Sequence, residues 1–191
     1  MDILGRAKGI LLDPKSEWQV IESEPGDIGY LLTNYVAILA GIPAVRPFIG
    51  GWLIGYEPRL DFFGALTHAI FLYVLTLVSV VVVAYVIDFL AGTFGARSNI
   101  NNARKVAAYA PTAAWLASAF ILLPLLGILV LLGLYSLYLL HTGIATLMRP
   151  AAGKAMLYTV SVVLCMIVIE AILFYLLFFI FGAIFGPVVT Y

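Results

Sequence analysis

Apolar residues fall along this chain in long blocks, and the short polar stretches between the blocks hold nearly all of the charge. Runs of about twenty apolar residues, the length that crosses a bilayer core, predict a first membrane span over 30–53 and a second over 62–91. Between Lys105 and Arg149 lie 43 residues without a formal charge. One helix of that length would run about 65 Å, twice the core of a bilayer, so the run must turn back on itself. It divides at Leu123-Pro124-Leu125-Leu126-Gly127, where proline removes a helical hydrogen bond and glycine accepts a tight reversal. Spans over 106–123 and 127–148 result, as a hairpin. A last run over 155–185 holds one charge, Glu170, and is long enough to cross with tilt. The pattern predicts an all-α integral membrane protein whose five transmembrane helices occupy 30–191.

Residues 1–29 read differently. Ile3, Leu4, Ala7, Ile10 and Leu11 recur at helical spacing with Arg6 and Lys8 between them, which suits a helix lying at the membrane surface. Asp13 then reads as an N-cap and Pro14 as a first-turn proline, while Pro25-Gly26 stops what begins there, so 14–24 is expected to be a second short helix. It would turn Trp18 and Ile21 to the membrane interface or the bundle and Glu17, Glu22 and Glu24 to water. Such a helix either anchors the first span or offers a cytoplasmic docking surface. The segment is not a basic stretch followed by a short apolar one, so no cleavable signal peptide is expected.

Composition sharpens the class. Hydrophobic residues are 64% and charged residues 10% of the chain, and mean hydropathy is +1.11, far from the roughly 25% charge of a soluble domain. Ten basic and ten acidic residues leave no polycationic face, so nucleic acid is not expected as a partner. The single cysteine, Cys165, lies in an apolar run and has no second thiol for a disulfide or a metal. Basic residues set the orientation. Arg6, Lys8, Lys15, Arg97, Arg104, Lys105, Arg149 and Lys154 fall on one side if the N-terminus is cytoplasmic and the C-terminus outside, against Arg59 alone on the other.

Four segments, "LLDPKSEWQVIESE", "ILAGIPAVRPFIG", "VAAYAPTA" and "LYSLYLLHTGIATLM", in this order over roughly 5–180, resemble the YIP family of Ypt/Rab-interacting proteins, and in particular its short bacterial inner-membrane branch. The resemblance implies five spans, a cytoplasmic N-terminus and a bacterial inner-membrane location. Eukaryotic members act in vesicle traffic around Rab-type GTPases, but the long N-terminal region with an acidic-tyrosine-glycine-proline motif that they carry is missing here, so GTPase binding is not expected. The family-motif positions map to Asp13, Pro14, Trp18, Tyr109 and Pro111, with Ala108 standing where the family has glycine.

Ionisable groups at bilayer depth are costly and are functional-site hypotheses by default. Counted along the spans, Arg46 and Glu170 lie at matching depth, and Asp88 and His141 form a lower layer near the cytoplasmic end, joined on the His141 face by Tyr138. Pro43 and Pro47 flank Arg46 and are expected to kink the first span, and broken helices at membrane depth line cavities or pack in protein. An Arg46–Glu170 pair facing such a cavity is the sharpest expectation, with a purely structural ion pair or a snorkelling Arg46 as the alternatives. The pairs Gly51/Gly55 and Gly182/Gly186 allow close helix approach within the chain or in a homodimer. No nucleophile, zinc-protease or phosphate-loop motif is present, the two histidines lie at different depths, and neither a cofactor nor a metal is expected. The sequence therefore points to a non-enzymatic membrane organiser or scaffold working through contacts with membrane lipids and with other membrane proteins or itself. A small proton- or ion-coupled transporter or channel using Glu170 and Arg46 is the alternative.

Overall fold

A computed structural model describes residues 2–46, 48–54, 61–122 and 124–185. The expectations that fall on Pro47, Gly55, Arg59, Leu123 and Gly186 lie outside the described residues. Among the described residues every regular element is a helix. Four helices among the described residues are long and apolar enough to cross a membrane: α3 (Ile28–Ile54), α4 (Phe62–Phe94), α7 (Leu126–Met148) and α8 (Ala155–Ile180). They are preceded by α1 (Ile3–Leu12) and α2 (Pro14–Ser23). Between α4 and α7 lie α5 (Ile100–Tyr109) and α6 (Thr112–Ser118), the latter continued by a tighter turn over Ala119–Leu122.

Local chemistry accounts for the boundaries. Asp2, Asp13, Asp27 and Asp61 each accept a hydrogen bond from a backbone N–H in the first turn of the helix that follows, at 2.7–3.3 Å, which satisfies donors a helix start leaves orphaned. Pro14 occupies the first turn of α2, where its missing N–H costs nothing. After α4 the chain turns at Gly95, whose φ of 64° is left-handed, and the Ala96 N–H closes onto the Ala91 carbonyl at 2.9 Å in the manner of a Schellman cap.

The third predicted span behaves differently from the rest. Its first residues continue a helix that begins with Asn101, Asn102, Arg104 and Lys105, and Pro111, lacking an N–H, interrupts it. No uninterrupted apolar helix of spanning length remains in 106–122, so four helices rather than the expected five meet that standard. The segment does pack back against the start of α7. Gly133 comes within 3.3 Å of the Ala114 Cα, measured from where its Cβ would stand, and the Ala114 N–H donates to Ser136 Oγ at 2.9 Å.

Central α4 packs against α3, α5 and α8, and α6 packs against both α3 and the start of α7. The core lies toward one end of this bundle, where the largest fully buried side chains, Trp18, Tyr35, Tyr109 and Tyr158, sit with Ile87, Leu139 and Ile144. Helices α1 and α2 close that end. At the far part of α8, Phe174, Tyr175, Phe178 and Phe179 are exposed, an apolar surface suited to lipid.

Candidate functional site

Two places gather polar chemistry: the closed end of the bundle and a cavity within it. At the closed end, Trp18 leaves α2 and is fully buried among the long helices. Its indole N–H donates to Thr142 Oγ1 at 3.0 Å, and its ring lies against Gly143, where a Cβ would meet the indole at 2.7 Å. Tyr109 meets it edge-on at 6.4 Å and meets Tyr35 at 4.6 Å between ring centroids. Thr112 gives its hydroxyl proton to the Tyr109 carbonyl at 2.6 Å, so the 2.7 Å contact between Tyr35 and Thr112 is a donation from the phenol. Tyr35 reaches that position from a stretch of α3, Leu32–Val36, wound as a π-helix.

Arg6 ties the two short helices together. Its guanidinium pairs with Glu17 and Glu24, its Cζ lies 5.7 Å from the centre of the Tyr109 ring, and only 10% of the side chain is exposed. Glu22 is bound twice: its carboxylate takes the Arg149 guanidinium at 2.7 Å, and its carbonyl accepts from Lys105 Nζ at 2.9 Å. Lys105 is buried, and desolvation lowers its pKa from the ordinary lysine value, an effect the neighbouring Glu24 and Glu22 oppose. The carbonyl end of α2 is also where a cation is best placed. A space of about 650 Å³ beside Arg6 is bordered by Asp2, Glu17, Glu24 and Asp27, all four already engaged as caps or ion-pair partners.

Of the two surroundings expected for Trp18, membrane interface or bundle, the bundle takes the indole, which points inward. Asp13 caps α2, Pro14 is buried, and Pro111 breaks the helix between Tyr109 and Thr112. The five positions singled out by the resemblance thus lie in or beside the closed end. Arg6, Tyr35, Lys105 and Thr142 were not singled out, although Arg6 and Lys105 are legible as cations beside apolar stretches.

The anticipated Arg46–Glu170 pair is not formed. Among the described residues the ion pairs are those of Arg6 and Arg149, and the Glu170 carboxylate accepts instead from the Ser79 hydroxyl of α4. Arg46 is exposed. Regular α-winding of the first span stops at Ala44, one residue beyond Pro43, in keeping with the expected kink. The lower layer is split between partners. Asp88 accepts from Ser98 Oγ at 3.0 Å, His141 Nδ1 lies 3.1 Å from Thr159 Oγ1, and Tyr138 is exposed with its ring 5.3 Å from that of Tyr135. Among the described residues no cluster of histidine, cysteine and carboxylate groups could hold a metal.

Glu170 and Ser79 border a cavity of about 500 Å³ that opens between α3, α4, α6, α7 and α8. Leu72, Val80, Val83, Trp115, Leu140 and Met166 are among the apolar side chains that line it.

Comparison with known proteins agrees with this architecture. Residues 8–173 match the Yip1 domain. Inner membrane protein YohC of Escherichia coli strain K12 is 30% identical to this chain, over 74% of the chain and 77% of the relative, and the protein of the same name from Escherichia coli O6:H1 matches equally. No solved structure matches. A buried aromatic end closed by two short helices, long apolar helices beneath it, and a family match running through both make the chain a membrane protein of the Yip1 domain family.

Proposed function

We propose that this is a five-span inner-membrane protein, N-terminus cytoplasmic and C-terminus outside, that works without catalysis as an organiser of the membrane through lipid and protein contacts. The fifth span is the segment 106–122, which is antiparallel to the start of α7 and needs only to tolerate the break at Pro111 to cross. Relatives named as inner membrane proteins support the location. Orientation is supported by the gathering of Arg6, Arg97, Lys105 and Arg149 at the closed end, where the Arg97 N–H bonds the Met148 carbonyl at 3.0 Å and Glu22 of α2 holds Lys105 and Arg149.

The observation that carries the organiser reading is the outward face of α1. Leu4 and Leu12 are 82% and 73% exposed, with Lys8 between them on the same face, while Ala7 and Ile10 of the opposite face are buried in the bundle. Held there by Arg6 and Trp18, that face lies at the headgroup level of the cytoplasmic leaflet and wedges it on one side only, with lysine toward anionic lipid. Reconstitution into anionic vesicles at rising protein-to-lipid ratio tests this by vesicle diameter. The wild type is expected to shrink or tubulate vesicles and a Leu4→Asn/Leu12→Asn variant to leave them unchanged; unchanged vesicles with the wild type reject the reading. A proton- or ion-coupled pathway is the second reading. The cavity beside Glu170 favours it, whereas the separation of Glu170 from Arg46 deprives it of its counter-ion.

A further inference from the structure

The cavity beside Glu170 carries chemistry that the closed end does not use. Among the described residues that line it, Glu170 is the only ionisable one. No cationic side chain among the described residues pairs with it, and the Ser79 hydroxyl is its described hydrogen-bond donor. The Glu170 side chain is exposed beside these apolar walls, and a carboxylate at membrane depth lowers its cost by gaining a counter-cation.

The surroundings select the kind of cation. A hard metal ion asks for six or more oxygen ligands. Here the described lining residues with side-chain oxygens are Thr76, Ser79, Ser136 and Glu170, five oxygens together, short of such a shell. An anion would meet the carboxylate, and a neutral acyl chain would fill the walls but leave the charge uncompensated. A volume of about 500 Å³ falls in the range of roughly 300–1,000 Å³ typical of small-molecule sites. Trp115 and Phe174 add aromatic surface, which attracts organic cations by its quadrupole.

We propose that this cavity is a binding site for a lipophilic organic monocation, with the Glu170 carboxylate as its counter-ion and side chains of α4, α7 and α8 flanking its apolar body. The site is independent of the organiser reading, because it is tested by equilibrium binding and not by flux or membrane shape.

The experiment is equilibrium binding of radiolabelled tetraphenylphosphonium to the full chain in nanodiscs of neutral lipid. Saturable binding near one ion per chain is expected. Glu170→Gln weakens it at least tenfold, Glu170→Asp keeps it within a few-fold, and an uncharged tetraphenyl compound of the same shape fails to compete. Val83→Phe, which fills the cavity and leaves the carboxylate in place, also weakens it at least tenfold, so the proposal remains exposed to test if Glu170→Gln fails to fold. Absence of saturable binding by the wild type, equal affinity in folded Glu170→Gln, or equal competition by the uncharged compound would each overturn the assignment.

Discussion

Gly143 is the residue at which the closed end is most sensitive. A methyl group there would lie 2.7 Å from the Trp18 ring, closer than real contacts allow, and neither the indole nor the α7 backbone has free space to retreat into. In a background where Trp52 and Trp115 are phenylalanine, Gly143→Ala is expected to red-shift the remaining tryptophan emission as the indole is pushed toward water. Thr142→Val leaves the ring in place but strands its N–H, at a cost of about 1–3 kcal/mol in reversible unfolding. Neither contact was legible in the sequence, because the partners stand 124 residues apart and local spacing says only that Trp18 lies on an apolar face. The Arg46–Glu170 expectation failed for a related reason. Counting residues along a span gives height, but a pair also needs matching rotation about two helix axes, and a kink at Pro43 alters the rotation of everything beyond it. His141 likewise finds its partner, Thr159, on another helix, a contact that spacing within one helix does not reveal.

At the scale of elements, bilayer thickness made the long helices readable. The expected span over 62–91 is recovered as the helix Phe62–Ala91, since the Asp61 cap and the turn at Gly95 mark where the apolar run begins and ends. Helix α1 shows the limit of such reading. Periodicity identified an apolar stripe but not what would cover it, and the fold splits the apolar residues, sending Ala7 and Ile10 inward and leaving Leu4 and Leu12 outside. What joins α1 to α2 is Arg6, a cation that local pattern assigns to solvent. Arg6→Ala leaves Glu17 and Glu24 facing one another without a counter-charge. The expected cost lies somewhat under the roughly 3–5 kcal/mol of a fully buried pair, because Glu24 keeps 34% of its side chain exposed. Limited proteolysis of the detergent-solubilised protein should then cleave within residues 1–29 at least tenfold faster than in the wild type, while the long helices stay intact; equal cleavage would show that Trp18 alone holds the two helices down.

On the scale of the whole molecule, the fold is a bundle well packed at one end and open to lipid at the other, and the sequence announced both through its charge. Eight of the ten basic residues belong to the N-terminal segment and to the loops near 97–105 and 149–154, which the structure assembles at the closed end. What charge could not reveal is how firmly that end is closed, since the seal is made by Trp18, Tyr35, Tyr109 and Thr112, residues whose partners come from distant parts of the chain. Whether 106–122 crosses the membrane decides the account, because an odd number of spans puts the two termini on opposite sides and an even number puts them on the same side. The most direct measurement is a pair of reporters fused after Tyr191 in a bacterial host: alkaline phosphatase, active only outside the inner membrane, and green fluorescent protein, fluorescent only inside. Five spans with the basic end in the cytoplasm predict an active phosphatase fusion and a dark fluorescent-protein fusion. A bright fluorescent-protein fusion with inactive phosphatase would contradict the account.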